Sequence, residues 1–326
     1  MIIEKMPFAK IKTRLREQLD RSLCGLYMLH FYHRIRAAYQ AKYSDEEFAN
    51  RSHVKAVGST LNLDNPISFD ERQWWLKLYY RNPLMITCTD KIAVRDYVES
   101  CGLGEILLPL LGVYSTPDDI DWVALPTPCY IKTNNSSGTN VRCNDRHAID
   151  VPHVRKKLKL FLKRDHYAYS REWNYRSIEP KLMIEPVIEA GAPGLRDYRF
   201  YCSYGKCHAI NVDLDTADED GRHREDTIGN FYDLEWNQIP VQVNAPSIRD
   251  QTISPPARLK DMLEYARTLS RPFPFCRVDL YHLEDGRIIF GEMTFFNRGG
   301  NNVIAPKSFE TTLGSWVALP NEALPR

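Results

Sequence analysis

The chain has 326 residues, 43% of them hydrophobic and 26% charged, with a formal net charge of +1. That balance is ordinary for a globular protein of two or three lobes. It excludes a low-complexity disordered chain, and its near-neutral charge gives no nucleic-acid signature.

Eight cysteines stand at scattered positions without a CxxC pair, and neither a secretory leader nor an uninterrupted apolar span is visible. A membrane-crossing helix needs roughly 20 apolar residues. Free thiols in a reducing cytoplasm are the expectation. Residues 1–44 hold nine Lys/Arg against three acids. Ile11, Leu15, Leu19, Leu23 and Leu26 follow a helical stripe, with Lys10, Lys12, Arg14, Arg16 and Arg21 around it. Two readings stand. One is a helix packed on the body with a solvated basic face. The other is a peripheral contact of residues 1–43 with an anionic membrane at its cytoplasmic side.

"NPISFDERQWWLKLYYRNP" (65–83) predicts a helix that Ser68 caps, Glu71 closes as a capping box and Asn82-Pro83 stops. Trp74, Trp75, Leu78 and Tyr79 are its expected buried side. A second helix is expected from near Thr89 to a stop at Gly102, and "EILLPLLGVY" (105–114) reads as a buried strand split by Pro109. In "CYIKTNNSSGTNVRCND" (129–145), strands Cys129–Thr133 and Asn140–Cys143 flank the loop Asn134–Gly138. Small polar residues and a glycine let backbone N–H groups turn toward an anion, and Lys132 directly precedes them. The loop lacks the GxxxxGK[ST] pattern; taken alone, a hairpin with a solvated lysine is the simpler account. A basic helix (155–165), a strand entering a hinge at Glu185-Pro186 (181–191), a hairpin with Tyr204-Gly205 at its tip (195–215) and an amphipathic helix (258–272) follow.

The last hairpin lies in "CRVDLYHLEDGRIIFGEMTFFNRGG" (276–300). Asp285-Gly286 predicts a two-residue type I′ turn. That turn sets Asp279 opposite Glu292 and Arg277 opposite Thr294, while Val278, Leu280 and His282 meet Met293, Gly291 and Ile289 on the other face. Opposed carboxylates at roughly 4.5–5.5 Å repel, so the pair needs a counter-ion. Arg277 is one candidate. A magnesium ion is another, because two carboxylates that leave room for water and phosphate oxygens suit it. Solvated acids on a half-exposed sheet are the plain alternative.

In this order the features resemble an ATP-grasp protein, and more closely its TupA-like branch, named for teichuronopeptide synthesis and often found with bacterial capsule or O-antigen genes. The resemblance spans roughly residues 62 to 320. It rests on "NPISFDERQWWLKLYYRNPL", "DKIAVRDYV", "REWNYRSIEPKLMIEPVI", "DYRFYCSYGK" and "FCRVDLYHLEDGRIIFGEMTF". It implies an α+β fold with two lobes gripping ATP. A helical segment (1–83) would precede a first lobe (84–184) with the Ser/Gly-rich loop and a second lobe (185–326) with the metal hairpin.

The resemblance also implies roles. Lys91 and Lys132 would bind the phosphates, and the loop with Ser136, Ser137 and Gly138 would close over them. Glu185, Pro186, Val187 and Ile188 would hold the adenine, and Asp197 the ribose. Asp279, Glu292 and Thr294 would hold magnesium. Arg277 would steady the transferring phosphoryl group, and the backbone at Gly299-Gly300 would stabilise an oxyanion. Two departures stand out. Thr294 occupies the usual position of an asparagine, for which Asn297 is a substitute, and a basic helical segment replaces the usual N-terminal α/β domain. The implied reaction joins a carboxylate, expected to be a uronic acid of a surface glycan or its precursor, to the amine of an amino acid through an acyl phosphate. A glycan kinase and a non-catalytic nucleotide-binding scaffold are the alternatives. Asp213 and Asp215 form a DLD that follows a hairpin strand and is expected to border the site.

Overall fold

Two antiparallel sheets position the polar residues of interest. The computed structural model describes residues 18–188, 195–214, 228–244 and 253–320. The helices are α1 (Leu23–Gln40), α2 (Asp45–Ala56), α3 (Phe69–Tyr79), α4 (Leu84–Thr89), α5 (Val94–Ser100), α6 (Val151–Leu162), α7 (His166–Ser170), α8 (Leu259–Ser270) and α9 (Phe309–Ser315). The first sheet has the order β1 (Gly112–Tyr114), β4 (Leu182–Pro186), β2 (Cys129–Thr133), β3 (Asn140–Cys143). Ile131, Leu182 and Ile184 on one face pack with Leu158 and Phe161 of α6, which closes this smaller core.

The second sheet has six strands: β11 (Ile288–Thr294), β10 (Cys276–His282), β5 (Arg196–Ser203), β6 (Lys206–Leu214), β7 (Ile228–Tyr232) and β8 (Gln238–Ile239). A short ribbon of β9 (Gln242–Val243) and β12 (Ile304–Ala305) lies apart from it. Side chains alternate across a strand, and here the alternation separates two chemistries. Phe200, Ile210, Val212, Val278 and Leu280 turn to the core, where Met262, Leu263, Ala266 and Leu269 of α8 cover them. Full burial of each large apolar side chain contributes about 1.5–3 kcal/mol. The other face carries Asp197, Arg199, Asp213, Arg277, Asp279 and Glu292 in neighbouring registers.

Asp279 lies opposite Glu292 and Arg277 opposite Thr294, as the sequence predicts, but by a different route. Leu283 N–H donates to the Arg287 carbonyl, so the loop has three residues rather than two. Gly286, at φ +85°, supplies the left-handed residue such a loop needs. Leu280 therefore pairs with Phe290 and His282 with Ile288, not with Gly291 and Ile289. A bulge at Gly291, between the Leu280 and Asp279 pairs, then restores the register of the acids.

Other expectations shift. Segment 105–114 forms a 3₁₀ turn and then only the short β1, whose residues are exposed or half-buried. The helix expected from Thr89 starts at Val94, because the Asp90 carboxylate accepts from the N–H groups of Ile92 and Ala93 and turns the chain there. The capping box of α3 is present, yet its buried side is Asp70, Gln73, Trp74, Leu76 and Lys77; Trp75, Leu78 and Tyr79 are only partly covered. Helices α4 and α5, assigned to the first lobe by chain order, place Met85, Cys88, Val94 and Val98 in the core of the second. The N-terminal stripe does not continue as one face. Ser22 caps α1, Leu26 is buried and Leu23 is exposed. Ile11 and Leu15, like Asp215, lie outside the described residues.

Gly291→Ala tests the bulge. A Cβ there would sit 3.0 Å from the Asp279 carbonyl oxygen and 3.1 Å from the Tyr281 ring. Losing glycine's unfolded-state entropy would stabilise by about 0.4–1 kcal/mol, and the crowding costs about 1–3 kcal/mol. The expected net effect is a loss of about 1 kcal/mol or more, read from the midpoint of a urea unfolding curve; an unchanged midpoint would show that the bulge tolerates a side chain.

Candidate functional site

The polar side of the second sheet is a lattice of acids held by two guanidiniums. Arg277, in β10, is buried and donates from Nε and Nη2 to the two Asp279 oxygens at 2.7 and 2.6 Å. Its Nη2 also reaches Thr294 Oγ1 at 3.1 Å and Glu292 Oε1 at 3.4 Å, and its Nη1 donates to Asn297 Oδ1 at 2.6 Å. Next to it, Arg199 donates to Asp197 at 2.8 Å and to Asp213, with Asp279 at 3.8 Å. Charge-assisted bidentate bonds of this kind are strong and directional. The opposed acids are therefore bridged by a guanidinium already built into the hairpin.

The carboxylates differ in environment. Burial pushes the Asp279 and Asp197 carboxyls up, against the pull of Arg277 and Arg199. Asp197 Oδ1 is buried with no hydrogen-bond partner, while Oδ2 accepts from Arg199, so this acid keeps one unused acceptor. The Glu292 side chain is half-exposed. Burial raises its pKa, but Arg277 and Lys91 outweigh that and hold it below the usual range. Thr294 Oγ1 donates to Glu292 at 3.0 Å. The set Asp279, Glu292 and Thr294 is thus assembled, and its accessible Glu292 carboxylate fits a hard cation with oxygen ligands. Asn297, the alternative to Thr294, spends its amide oxygen on Arg277 and donates to Asn302 at 2.7 Å.

The first sheet supplies amines. Lys132, in β2, pairs with Glu185 of β4 at 2.9 Å, and Arg95 stands 3.7 Å from the same carboxylate. Lys91 follows the Asp90 turn and donates to the Ser136 carbonyl at 2.7 Å. Burial lowers its pKa, with Glu292 opposing and Lys132 reinforcing, so these three groups share one field. The base of the loop Asn134–Gly138 is pinned. Asn134 donates to Asp90 and to the Glu179 carbonyl, both at 3.0 Å, and accepts from Lys181 N–H at 2.7 Å. Ser136 is buried, and only Ser137 and Gly138 are exposed. Beyond Glu185, half-buried Pro186, Val187 and Ile188 line the exit of β4, with Val187 N–H donating to the Pro128 carbonyl at 3.3 Å.

The sequence reading missed two residues here. Arg199 was legible in principle, since Asp197, Arg199 and Tyr201 share one face of β5 by alternation. Lys77 carried no signal, because a lysine beside two tryptophans reads as a solvated helix position. It is buried, 3.5 Å from the centroid of the Trp74 ring, and its Nζ donates to the carbonyls of Gly299 at 2.7 Å and Ser170 at 3.0 Å. It thereby holds the turn at Arg298, Gly299 and Gly300, all at positive φ, to which the sequence reading assigns an oxyanion role. A Cβ at Gly300 would meet the Trp74 ring at 3.0 Å, so glycine is required there by both φ and space.

A family model described as TupA-like ATPgrasp matches residues 71–318. Among solved structures, an L-amino acid ligase from Bacillus licheniformis is 16% identical with a TM-score of 0.40, over 66% of this chain and 44% of that one. The VanG D-Ala:D-Ser ligase from Enterococcus faecalis is 15% identical, TM-score 0.39, over 64% and 52%. An ADP complex of N5-carboxyaminoimidazole ribonucleotide synthetase (purK) is 14% identical, TM-score 0.41, over 77% and 57%. The chain thus spans about half the length of these structures. No curated protein matches it in sequence.

Burial pushes the Lys77 amine down to about 7, with Glu172 opposing, whereas an unfolded lysine titrates near about 10.4. Between those values the unfolded chain binds more protons, so stability rises with pH across that window and the penalty is fully present below it. Lys77→Met removes the titration. The stability difference between wild type and variant should shift toward the wild type by on the order of 4 kcal/mol from about pH 6 to about pH 10, measured by denaturant unfolding at each pH. A constant difference would refute the buried amine.

Proposed function

The chain belongs to the TupA-like ATP-grasp family, and from that premise we propose that it is an ATP-dependent ligase joining a carboxylate to an amine through an acyl phosphate. The observation that carries this reading is that Lys91, in the turn between α4 and α5, interacts with both Lys132 of the first sheet and Glu292, the partner of Asp279 in the guanidinium-braced acids of the second. A nucleoside triphosphate with magnesium needs both signs of charge within one cleft. When bound, magnesium on Asp279, Glu292 and Thr294 would neutralise charge developing between the β- and γ-phosphates.

In the proposed reaction, a carboxylate oxygen of the substrate bonds to the γ-phosphorus as the bond to the β-phosphate bridge breaks, and ADP leaves. The amine nitrogen then bonds to the acyl carbon, phosphate departs and the ammonium proton is lost. Lys91 and Lys132 orient the phosphates, and Arg277 fixes Asp279 while facing the transferring group. The positive-φ turn at Gly299-Gly300, braced by Lys77, presents backbone to the acyl oxygen. Glu185 through Ile188 line the adenine, and Asp197 offers its spare oxygen to the ribose. The family's setting favours a uronic acid of a bacterial surface glycan or its precursor as carboxylate, and an amino acid as amine.

The test is incubation with ATP, magnesium, an amino-acid pool and uronic-acid glycans, followed by mass spectrometry. A glycan gaining the mass of an amino acid less water, with release of ADP and free phosphate, is expected. A phosphorylated glycan without free phosphate would instead establish a kinase, which Thr294 in place of asparagine leaves as the second reading. ATP binding without any turnover would indicate a scaffold.

Two substitutions locate the chemistry. Asp279→Asn should reduce ATP consumption at least about 100-fold, in keeping with loss of a ligand that acts in the transition state. Lys132→Ala should raise the KM for ATP about tenfold or more, roughly one charge-assisted contact, while the unfolding midpoint stays put because the side chain is only partly covered. Wild-type kinetics in either variant would remove that residue from the site.

A further inference from the structure

Helix α1 presents an apolar face to solvent. It packs on α6 and α7, with Gly25 and Leu26 buried and with His33 and Arg36 against the Tyr169 ring of α7. Leu23, Tyr27, Phe31, Ile35 and Tyr39 recur every fourth residue, and Met28 and Tyr32 fill the same side. All seven are between 48 and 64% exposed, and they make up seven of the fifteen exposed large apolar side chains among the described residues. Solvent-exposed apolar residues are normal when scattered; a contiguous stripe on one helix marks a contact surface.

The charges around the stripe select its occupant. Between residues 21 and 44 the sequence holds no acid, while Arg21, Arg34, Arg36 and Lys42 are all exposed. From the body, Lys156 Nζ lies 4.4 Å from the centroid of the Tyr27 ring, and Lys163 and Arg164 depress the pKa of His30 after burial and Arg34. The rim is therefore predominantly basic, and the acids at its two ends, Asp20 and Asp45, are paired with Lys157 and Arg171. Tyrosines at the stripe's edge combine an apolar ring with a hydroxyl, which suits a boundary between hydrocarbon and headgroups. A second copy of the chain would set arginines against arginines along this rim. At 18 residues, α1 is about 27 Å long, and no described helix is long and apolar enough to cross a membrane.

We propose that the outward face of α1 docks the protein on an anionic lipid bilayer, with the helix lying in the interface plane. Apolar insertion supplies grip and the basic rim supplies selectivity for negative headgroups, the combination that interfacial helices use. The proposal concerns a surface remote from the acid lattice and does not depend on the ligase reading.

The experiment is co-sedimentation of the full-length protein with vesicles of phosphatidylcholine alone and of phosphatidylcholine mixed with phosphatidylglycerol, at low and high salt. Binding to the anionic vesicles only, weakened by salt, is expected. Phe31→Ser/Ile35→Ser should lower that partition about tenfold or more while the unfolding midpoint stays unchanged, because neither side chain is buried. Three results would overturn the proposal: full-length protein that stays in the supernatant with anionic vesicles, a dimer in sedimentation velocity that the double variant dissociates, or binding that appears only after residues 1–17 are removed. The second would assign the face to another copy, and the third to the chain's own first residues.

Discussion

The Arg277 guanidinium is the contact on which the arrangement of the cleft depends. Its donors fork to Asp279, Glu292, Thr294 and Asn297. Without it, β10 and β11 would hold two carboxylates in direct opposition at a distance where like charges destabilise a sheet. Arg199 repeats the device one strand over, between Asp197 and Asp213. Removing one partner from a buried, hydrogen-bonded pair commonly costs about 3–5 kcal/mol, because the other charge is left uncompensated. The lattice is thus self-consistent without an added ion. What it leaves unsatisfied is one buried, unpaired oxygen on Asp197, and what it leaves accessible is the half-exposed Glu292 carboxylate.

Much of this sheet was legible in the sequence, and the acid pair shows how. Period-2 alternation identified which residues share a face, and Asp-Gly located the turn. The pairing of Asp279 with Glu292 nevertheless came from two compensating errors. The real loop is one residue longer than a type I′ turn, and Gly291 inserts one residue into β11. A bulge leaves little trace in hydrophobic alternation; the only hint was a glycine within a strand. The TupA-like resemblance then held over residues 71–318, because it rested on several phrases in order and not on one motif.

What was not legible depends on contacts between distant segments. Chain order assigned residues 84–106 to the first lobe, yet α4 and α5 pack into the second core. Lys77 illustrates the same limit. Its amine joins α3, the Ser170 carbonyl and the Gly299 turn, segments separated by more than ninety positions, so nothing near Lys77 in the sequence distinguishes it from a solvated lysine. A neutral amine still has two N–H donors for its two carbonyl partners. That explains how a lysine is tolerated in a fully buried position where burial drives its proton affinity down.

The two sheets also divide the electrostatic work unequally. On the second, acids and guanidiniums are locked to one another by bidentate bonds. On the first, Lys132 has a single carboxylate partner, Glu185, and beside it Lys91, in the turn between α4 and α5, has a carbonyl. An amine with a single carboxylate partner gains more from an incoming anion than a guanidinium already saturated by carboxylates. On the proposed reading, phosphate oxygens would therefore exchange with Glu185 at Lys132 before they disturbed Arg277. Arg95, 3.7 Å from Glu185, stands where it can compensate the released carboxylate. That exchange would free Glu185 at the start of the segment lining the adenine, and so would couple the phosphate end of the cleft to its nucleobase end through one side chain.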